Sequence, residues 1–336
     1  MGTVSNIIIA ERVSIVNNYS GNNNDLQHTS CSNDKVRRLS KFTVKKAAAC
    51  KIANKFLLIG ETKRAYNMKA CNSVLELYTC ECCGKTKVIN AHLCRDRLCP
   101  TCQYLLSVKR YNEMQKTIAA IPNVDDYSWR FVTLTIRNCV PTDLSNTISI
   151  MLKAWDKVCK RRTIKRYLKG WGRSLEITYN KNTGTFHPHI HFIAAFDKDN
   201  APNLADVTEW WQSALEIDYT PICDIDIPYS KNDNSITGAM IEAFKYCTKS
   251  KEVADMPLSS FAELVHAIKG VRLLAFGGIV RAARRSIGII ENDVAEQEVL
   301  DNAVCCDLKM QRAIAKWSFD EDNYNIICGV VDNERK

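Results

Sequence analysis

Three of the chain's six histidines fall in the run His187-Pro188-His189-Ile190-His191. In a strand, alternate residues share a face, so the three imidazoles project together while Pro188, Ile190 and Phe192 point to an apolar opposite side. A lone histidine is usually structural, but core packing gives no ready reason for three on one strand face. The segment before them supplies a carboxylate. If Lys181-Asn182-Thr183-Gly184 is a four-residue hairpin loop, Asn180 pairs with Thr185 and Glu176 stands directly opposite His189, on the same face. A β-bulge would shift that register. Two imidazoles and one carboxylate, from His189, His191 and Glu176, suit a divalent ion with open positions for phosphate oxygens.

A second group lies downstream. Glu242 and Tyr246 are four residues apart and Lys249 follows three later, so on a helix they form one stripe. In isolation that stripe reads as an amphipathic helix with a half-buried tyrosine and two solvated charges. Its closeness in the chain to the histidine strand makes it a candidate catalytic group. A third group is sulfur. The chain has 16 cysteines, and Cys80-x-x-Cys83 and Cys99-x-x-Cys102 are separated by 15 residues, the spacing of a two-knuckle structural zinc site. Cys82, His92 and Cys94 are surplus, with Cys94 an alternative to one of the first pair, so the segment is expected to hold one Zn2+ through four of these residues. Scattered buried thiols are the alternative. Finally, Lys157, Lys160, Arg161, Arg162, Lys165, Arg166 and Lys169 crowd the end of one amphipathic segment, and Arg281, Arg284 and Arg285 form a smaller patch. Cations favour a helix C-terminus in any protein, but this density exceeds what the dipole needs and suits contact with DNA phosphates.

The elements that must position these groups follow from the pattern. Arg130 to Ile136 alternates as a strand, and Asp143 can cap a helix that runs to about Lys169. Arg173 to Tyr179 and Phe186 to Phe196 are strands flanking the turn. A helix around Val207 to Glu216, a strand around Ile222 to Ile227 and a helix from about Ser235 to Ser250 complete the order β-α-β-β-α-β-α. This is an α+β fold, a mainly antiparallel ferredoxin-like sheet with helices on one face, joined to a small zinc-binding module. The organisation expected is a largely disordered segment over residues 1 to 45, rich in Asn and Ser, then a cysteine-rich module over 46 to 110. A catalytic domain follows over 111 to 250. A C-terminal extension, DNA-binding or structural, occupies 251 to 336 and carries a hairpin near Trp317 and Tyr324.

Composition narrows the class. At 336 residues, 46% hydrophobic and 25% charged, the chain has the make-up of a soluble globular protein. Lys plus Arg number 46 against 37 Asp plus Glu, a formal net charge of +9, which permits nucleic-acid binding without requiring it. The apolar cluster Ile7 to Ala10 is shorter than a signal-peptide core, and no stretch approaches the roughly 18 apolar residues of a membrane helix. A cytoplasmic protein with reduced thiols and no membrane partner is expected.

Five segments in order carry a resemblance. Phe131-Val132-Thr133-Leu134-Thr135, His187-Pro188-His189-Ile190-His191 and Glu242-Ala243-Phe244-Lys245-Tyr246-Cys247-Thr248-Lys249 resemble the three motifs of the HUH-type rolling-circle replication initiators of small bacterial plasmids, in the single-tyrosine branch. Cys94 to Cys102 and Arg272 to Gly278 look like the same branch. The resemblance implies an HUH endonuclease fold, binding of the plasmid origin as duplex and as single strand, and metal-dependent nicking with Mg2+ or Mn2+. It implies Tyr246 as the nucleophile that forms a 5'-phosphotyrosine link and Glu242 as the residue serving a second, hydrolytic cut; Lys249, on the same stripe, is expected either near the phosphate or steadying the phenolate. The partners implied are a host helicase, single-strand-binding protein and DNA polymerase, with a dimer left open. The role of His187 also stays open. Rival readings are a single-tyrosine HUH transposase or relaxase, and a non-catalytic zinc-dependent DNA-binding regulator.

Overall fold

A computed structural model of the chain describes residues 29–80, 86–227, 250–289 and 310–328. Its centre is a five-stranded antiparallel sheet built from β3 (Tyr127–Thr135), β4 (Leu168–Asn180), β5 (Thr185–Asp197), β6 (Cys223–Asp226) and β7 (Leu274–Gly277), in the order β6-β3-β5-β4-β7. Two helices punctuate it, α4 (Leu144–Lys160) and α6 (Leu204–Leu215), so the chain runs β3-α4-β4-β5-α6-β6. Those are the first six of the seven expected elements, β-α-β-β-α-β, with β7 added at the β4 edge; the helix expected from about Ser235 falls outside the described residues up to 249. Alternation dictates which side each residue serves. Leu134, Leu175, Ile177, Ile190 and Phe192 face α4 and α6 and are buried with Trp155 and Trp211. The Trp155 ring meets Trp171 at 5.1 Å and Phe192 at 4.8 Å, and Trp211 satisfies its indole N–H on the Thr135 carbonyl at 2.7 Å.

The other face is covered only in part. Ile193 and Ala195 share the histidines' side of β5, and with Trp129 and Phe276 they pack under Met114, Val280 and Ala283. Met114 belongs to α3 (Pro100–Ala119); Val280 and Ala283 belong to α9 (Gly278–Ser286). Helices therefore lie on both faces, and the expectation of one helical face holds only for the end of the sheet that carries the histidines. The covering pair buries the Ile193–Ala195 end.

Several boundaries differ from the sequence reading. The helix expected to run from Asp143 to about Lys169 stops at Lys160; a short α5 (Arg162–Tyr167) follows, and Leu168 already pairs with Phe196 in the sheet. A helix, α1 (Thr29–Leu58), begins inside the segment read as disordered, and residues 1–28 lie outside the described ones. After α2 (Thr62–Ala70), β1 (Val74–Cys80) and β2 (Thr86–Ala91) form a second sheet with β8 (Met310–Ser318) and β9 (Asn323–Cys328), in the order β2-β1-β8-β9. The hairpin near Trp317 and Tyr324 is thus part of the cysteine-rich region rather than of a separate extension. Likewise α7 (Ser250–Asp255), α8 (Leu258–Ala267) and β7 join the central body. Among the described residues no helix is long and apolar enough to cross a membrane.

The Gly277-Gly278 pair shows why one matched segment has its composition. Here β7 turns into α9 against the start of β4, with Gly278 at φ +56. A Cβ on Gly278 would stand 2.0 Å from the Lys169 carbonyl oxygen, and one on Gly277 would stand 2.4 Å from the Trp171 ring. Gly60 also has a positive φ, +81, but meets nothing within 4 Å. Gly278→Ala is expected to cost about 1–3 kcal/mol in urea unfolding, from left-handed backbone strain plus displacement of the β4 start. Gly60→Ala should cost clearly less, and equal losses would mean that the close approach at Gly278 carries no weight.

Candidate functional site

The β4–β5 ladder sets Glu176 against His189 and Asn180 against Thr185, with Lys181 to Gly184 as the turn. The next strand brings Thr133 against His191 and Thr135 against His189. His189 Nε2 lies 2.9 Å and His191 Nε2 3.0 Å from the same Glu176 oxygen, so two imidazole nitrogens and one carboxylate converge on one point. The three side chains are 12%, 20% and 17% exposed, which leaves the point reachable from solvent. Burial alone would raise the Glu176 pKa; the hydrogen bonds and positive charge of His189 and His191 overcome it and hold the carboxyl down to about 2.

The far nitrogens of the two rings are held from behind. His189 Nδ1 is 3.2 Å from the His187 carbonyl, and His191 Nδ1 is 3.0 Å from Thr133 Oγ1. As it stands each Nε2 donates to the carboxylate; with an ion bound, a proton on His189 Nδ1 donating to that carbonyl would free the Nε2 lone pair for the metal, the usual way of orienting a metal-binding imidazole. Phe131 stacks on His191 at 5.7 Å and 10°. These contacts give the Phe131-to-Thr135 segment a physical role that strand periodicity alone did not reveal. His187 does not join the three; its ring is tilted beside His189 at 5.4 Å, and burial, followed by the His189 charge, lowers its pKa. The set of two nitrogens and one carboxylate oxygen, with room on the open side, fits a divalent ion. Glu242, Tyr246 and Lys249 lie outside the described residues.

The cysteines gather elsewhere. Cys71, at the C-terminal cap of α2, joins Cys94, Cys99 and Cys102, with Cys71–Cys102 and Cys94–Cys102 sulfurs 3.7 Å apart and Cys99–Cys71 3.6 Å. Four thiolates about 2.3 Å from one tetrahedral zinc stand about 3.8 Å apart, so the sulfur spacing fits the ion. Hydrogen bonds from Cys102 first, then Cys94 and Cys99, hold the Cys71 thiol well below its ordinary range. Cys71 is the member that the sequence reading missed. Cys80 ends β1, and Cys83 lies outside the described residues. Arg97 ties the loop between Cys94 and Cys99 to the Val271 carbonyl at 2.7 Å, and Asp96 pairs with Arg64 at 2.8 Å.

The basic residues divide. Arg162, Lys165 and Arg166 are exposed, and Arg161 donates to Ser213 Oγ at 2.7 Å. Lys157 pairs with Glu216 at 2.6 Å and Lys169 with Asp197 at 3.4 Å. In α9, Arg285 is exposed and Arg281 half-buried. Arg284 is a correction: it is turned inward, 4% exposed, paired with Glu113 at 2.9 Å and lying over the Phe276 ring, so it braces α9 on α3 and is not a surface contact for DNA.

The carboxylate makes a pH prediction. The Glu176 carboxyl titrates at about 2 in the folded chain and at about 4.3 when unperturbed. Its pairing therefore stabilises the fold above the ordinary value, and that contribution is lost as pH falls toward the folded one. In chelator-treated protein, Glu176→Gln should flatten the acid limb of stability between those two values. An identical acid limb would mean that the histidines do not hold the carboxylate.

Residues 85–325 match the model of a family described as replication protein. The chain is 29% identical over 286 residues to "Protein rep" of Lentilactobacillus hilgardii, across 81% of this chain and 90% of that one. It is 28% identical over 251 residues to "Protein rep" of Streptococcus pneumoniae, across 72% and 78%, and 23% identical over 228 residues to "Replication protein" of Staphylococcus aureus, across 64% and 97%. No solved structure matches. The family match spans the Glu176–His189–His191 site, three of the four gathered cysteines and the Tyr246 segment. The chain belongs to the replication protein family, the plasmid rolling-circle initiators that its motifs resemble.

Proposed function

We propose that this initiator nicks single-stranded origin DNA and later rejoins it at the Glu176–His189–His191 site, with Tyr246 as nucleophile. The observation that carries the reading is the convergence of two oriented Nε2 atoms and one carboxylate oxygen on a solvent-reachable strand face. A phosphodiester is anionic and resists attack, so its charge must be offset and a nucleophile placed in line. A divalent ion, Mg2+ or Mn2+, held by His189, His191 and Glu176 would supply that neutralisation as a Lewis acid. The Tyr246 phenol oxygen attacks phosphorus; the bond to the 3' oxygen breaks, and that oxygen takes a proton and remains as a 3'-hydroxyl primer. The phosphoryl group stays on Tyr246 as a 5'-phosphotyrosine, which conserves the bond energy for rejoining. Lys249 lowers the cost of the phenolate, whose free pKa of about 10 makes it a poor nucleophile at neutral pH. Glu242 acts as general base toward water in the second cut, which releases the enzyme without a new covalent link.

Two further assignments belong to this reading. Cys71, Cys94, Cys99 and Cys102 hold one structural Zn2+. Arg161, Arg162, Lys165 and Arg166 contact duplex origin phosphates, with Arg281 and Arg285 contributing from α9. The α5 cations precede a strand whose start lies eight residues before Glu176, about 26 Å away at the rise of a strand, so they grip DNA remote from the cut. Work on the cytoplasmic plasmid origin would engage a host helicase, single-strand-binding protein and polymerase.

His189→Ala and His191→Ala should each abolish nicking and calorimetric Mn2+ binding at this site, with Glu176→Ala impaired but measurable. Unchanged Mn2+ binding in both histidine variants would remove the metal assignment.

Incubating the protein with single-stranded origin DNA and Mn2+ tests the chemistry. A covalent protein–DNA adduct is expected; a regulator or structural zinc protein would give none. Tyr246→Phe should lose both cleavage and adduct while still binding DNA. Glu242→Ala should keep the first nick but impair the second, so that over-long single-stranded products accumulate. Normal termination in Glu242→Ala, or adduct from Tyr246→Phe, would overturn these roles.

A further inference from the structure

Lys46 lies in the middle of α1 and is 0% exposed. Lysine is almost never fully buried without a partner charge. Its Nζ donates to the Lys69 carbonyl, to the Cys71 carbonyl at 2.6 Å and to Ser73 Oγ at 3.0 Å. Three acceptors meet the three N–H bonds of an ammonium, so the cradle is built for the charged form. All three acceptors are neutral, and they bracket Cys71. Nζ also stands 5.6 Å from the centroid of the Phe319 ring; burial lowers the Lys46 pKa, Cys50, Cys71, Cys99 and Cys94 act to raise it, and no carboxylate among the described residues pairs with it. A buried ammonium among neutral groups is costly unless a negative charge lies close.

The gathered sulfurs supply one. A zinc ion bound by four thiolates carries two net negative charges. We propose that Lys46 is the built-in counter-cation of a tetracysteinate centre formed by Cys71, Cys94, Cys99 and Cys102, and that its hydrogen bonds also fix the backbone that presents Cys71. The inference rests on the zinc reading above and adds a positioning residue that sequence spacing does not reveal. Charge balance makes the two mutually dependent: the loaded centre stabilises the buried ammonium, and the ammonium strengthens zinc retention. The site therefore favours a divalent metal that keeps all four sulfurs ionised.

The test uses the full chain with Lys46→Met and Lys46→Arg, with zinc affinity read by competition against a chromogenic chelator. Lys46→Met should bind zinc about 10–100-fold more weakly, the range for groups that support metal ligands from behind. Lys46→Arg should recover most of the loss. Lys46→Met should lose more urea resistance in the zinc-loaded form than in the metal-free form, because only the loaded centre carries two net negative charges. Cobalt substitution gives a spectroscopic check, since the thiolate-to-cobalt band should weaken at a given cobalt concentration in Lys46→Met alone. Wild-type zinc affinity in Lys46→Met, or equal destabilisation of loaded and metal-free forms, would show that Lys46 only fills space. If Lys46→Met yields no folded protein, Lys46→Gln refolded with excess zinc replaces it, and zinc loss to the chelator at the wild-type rate overturns the proposal. Failure of the zinc reading itself looks different: wild-type protein and Cys71→Ser would both lack stoichiometric zinc, and the counter-cation role would fall with it.

Discussion

Side chains alternate across a strand, so a one-residue slip between β4 and β5 would turn Glu176 away from His189 and toward α4. The turn between the strands prevents the slip. Asn180 caps it with its side-chain oxygen, accepting from Asn182 N at 2.9 Å and Thr183 N at 3.4 Å, while its carbonyl accepts from Gly184 N at 2.9 Å. Gly184 takes φ +67, a conformation other residues adopt at a cost. Behind the strands the same register places Leu175, Ile177, Ile190 and Phe192 in one buried cluster. A slip would therefore expose the apolar set as well as scatter the ligand set. Packing energy on one face enforces the Glu176–His189–His191 arrangement on the other.

That coupling explains how a site with three polar groups can stand half-open. The Ile193–Ala195 end of the histidine face is closed by α3 and α9, and the Arg284–Glu113 pair braces those helices on each other. Rigidity comes from the closed end, and access comes from the open one. Phe131 and Thr133 complete the arrangement from the neighbouring strand, one holding a ring by its face and the other by its nitrogen. Glu176 accepts from both imidazoles through one oxygen, so the three side chains are gathered on one point by their own contacts.

The sheet was legible because period-two alternation and a turn of Asn and Gly are strong local signals. The Glu176–His189 pairing followed from counting across that turn. The end of α4 was not legible. Residues 162 to 167 suit a helix locally, but Leu168 to Gly172 pair with β5, and tertiary pairing overrides propensity. Gly170 and Gly172 were the available warning, since glycine is a poor helix residue. Cys71 was hidden for a different reason. It sits at a helix end, outside any Cys-x-x-Cys spacing, and only the path of α2 brings it to Cys99 and Cys102. Arg284 was misread because charge in sequence says nothing about which side of α9 it occupies. The sequence also separated residues 251 to 336 from the rest, whereas β8 pairs with β1 across most of the chain's length.

The cysteine group and the central sheet share one helix. Cys99 caps the start of α3 and Cys102 lies in its first turn, while Glu113 and Met114 lie further along, where the helix packs on the histidine face. At about 1.5 Å per residue, α3 carries a constraint set at the cysteines roughly 18 Å to Met114. A second strut runs through Arg97, which binds carbonyls just after α8, and α8 packs against α4 beneath the sheet. Tyr324 closes the same corner from the C-terminal hairpin, donating to the Asn72 carbonyl at 2.6 Å. The cysteine group thus needs no contact with DNA to matter for the site. It fixes the start of α3, and α3 sets how firmly the closed end of the histidine face is held.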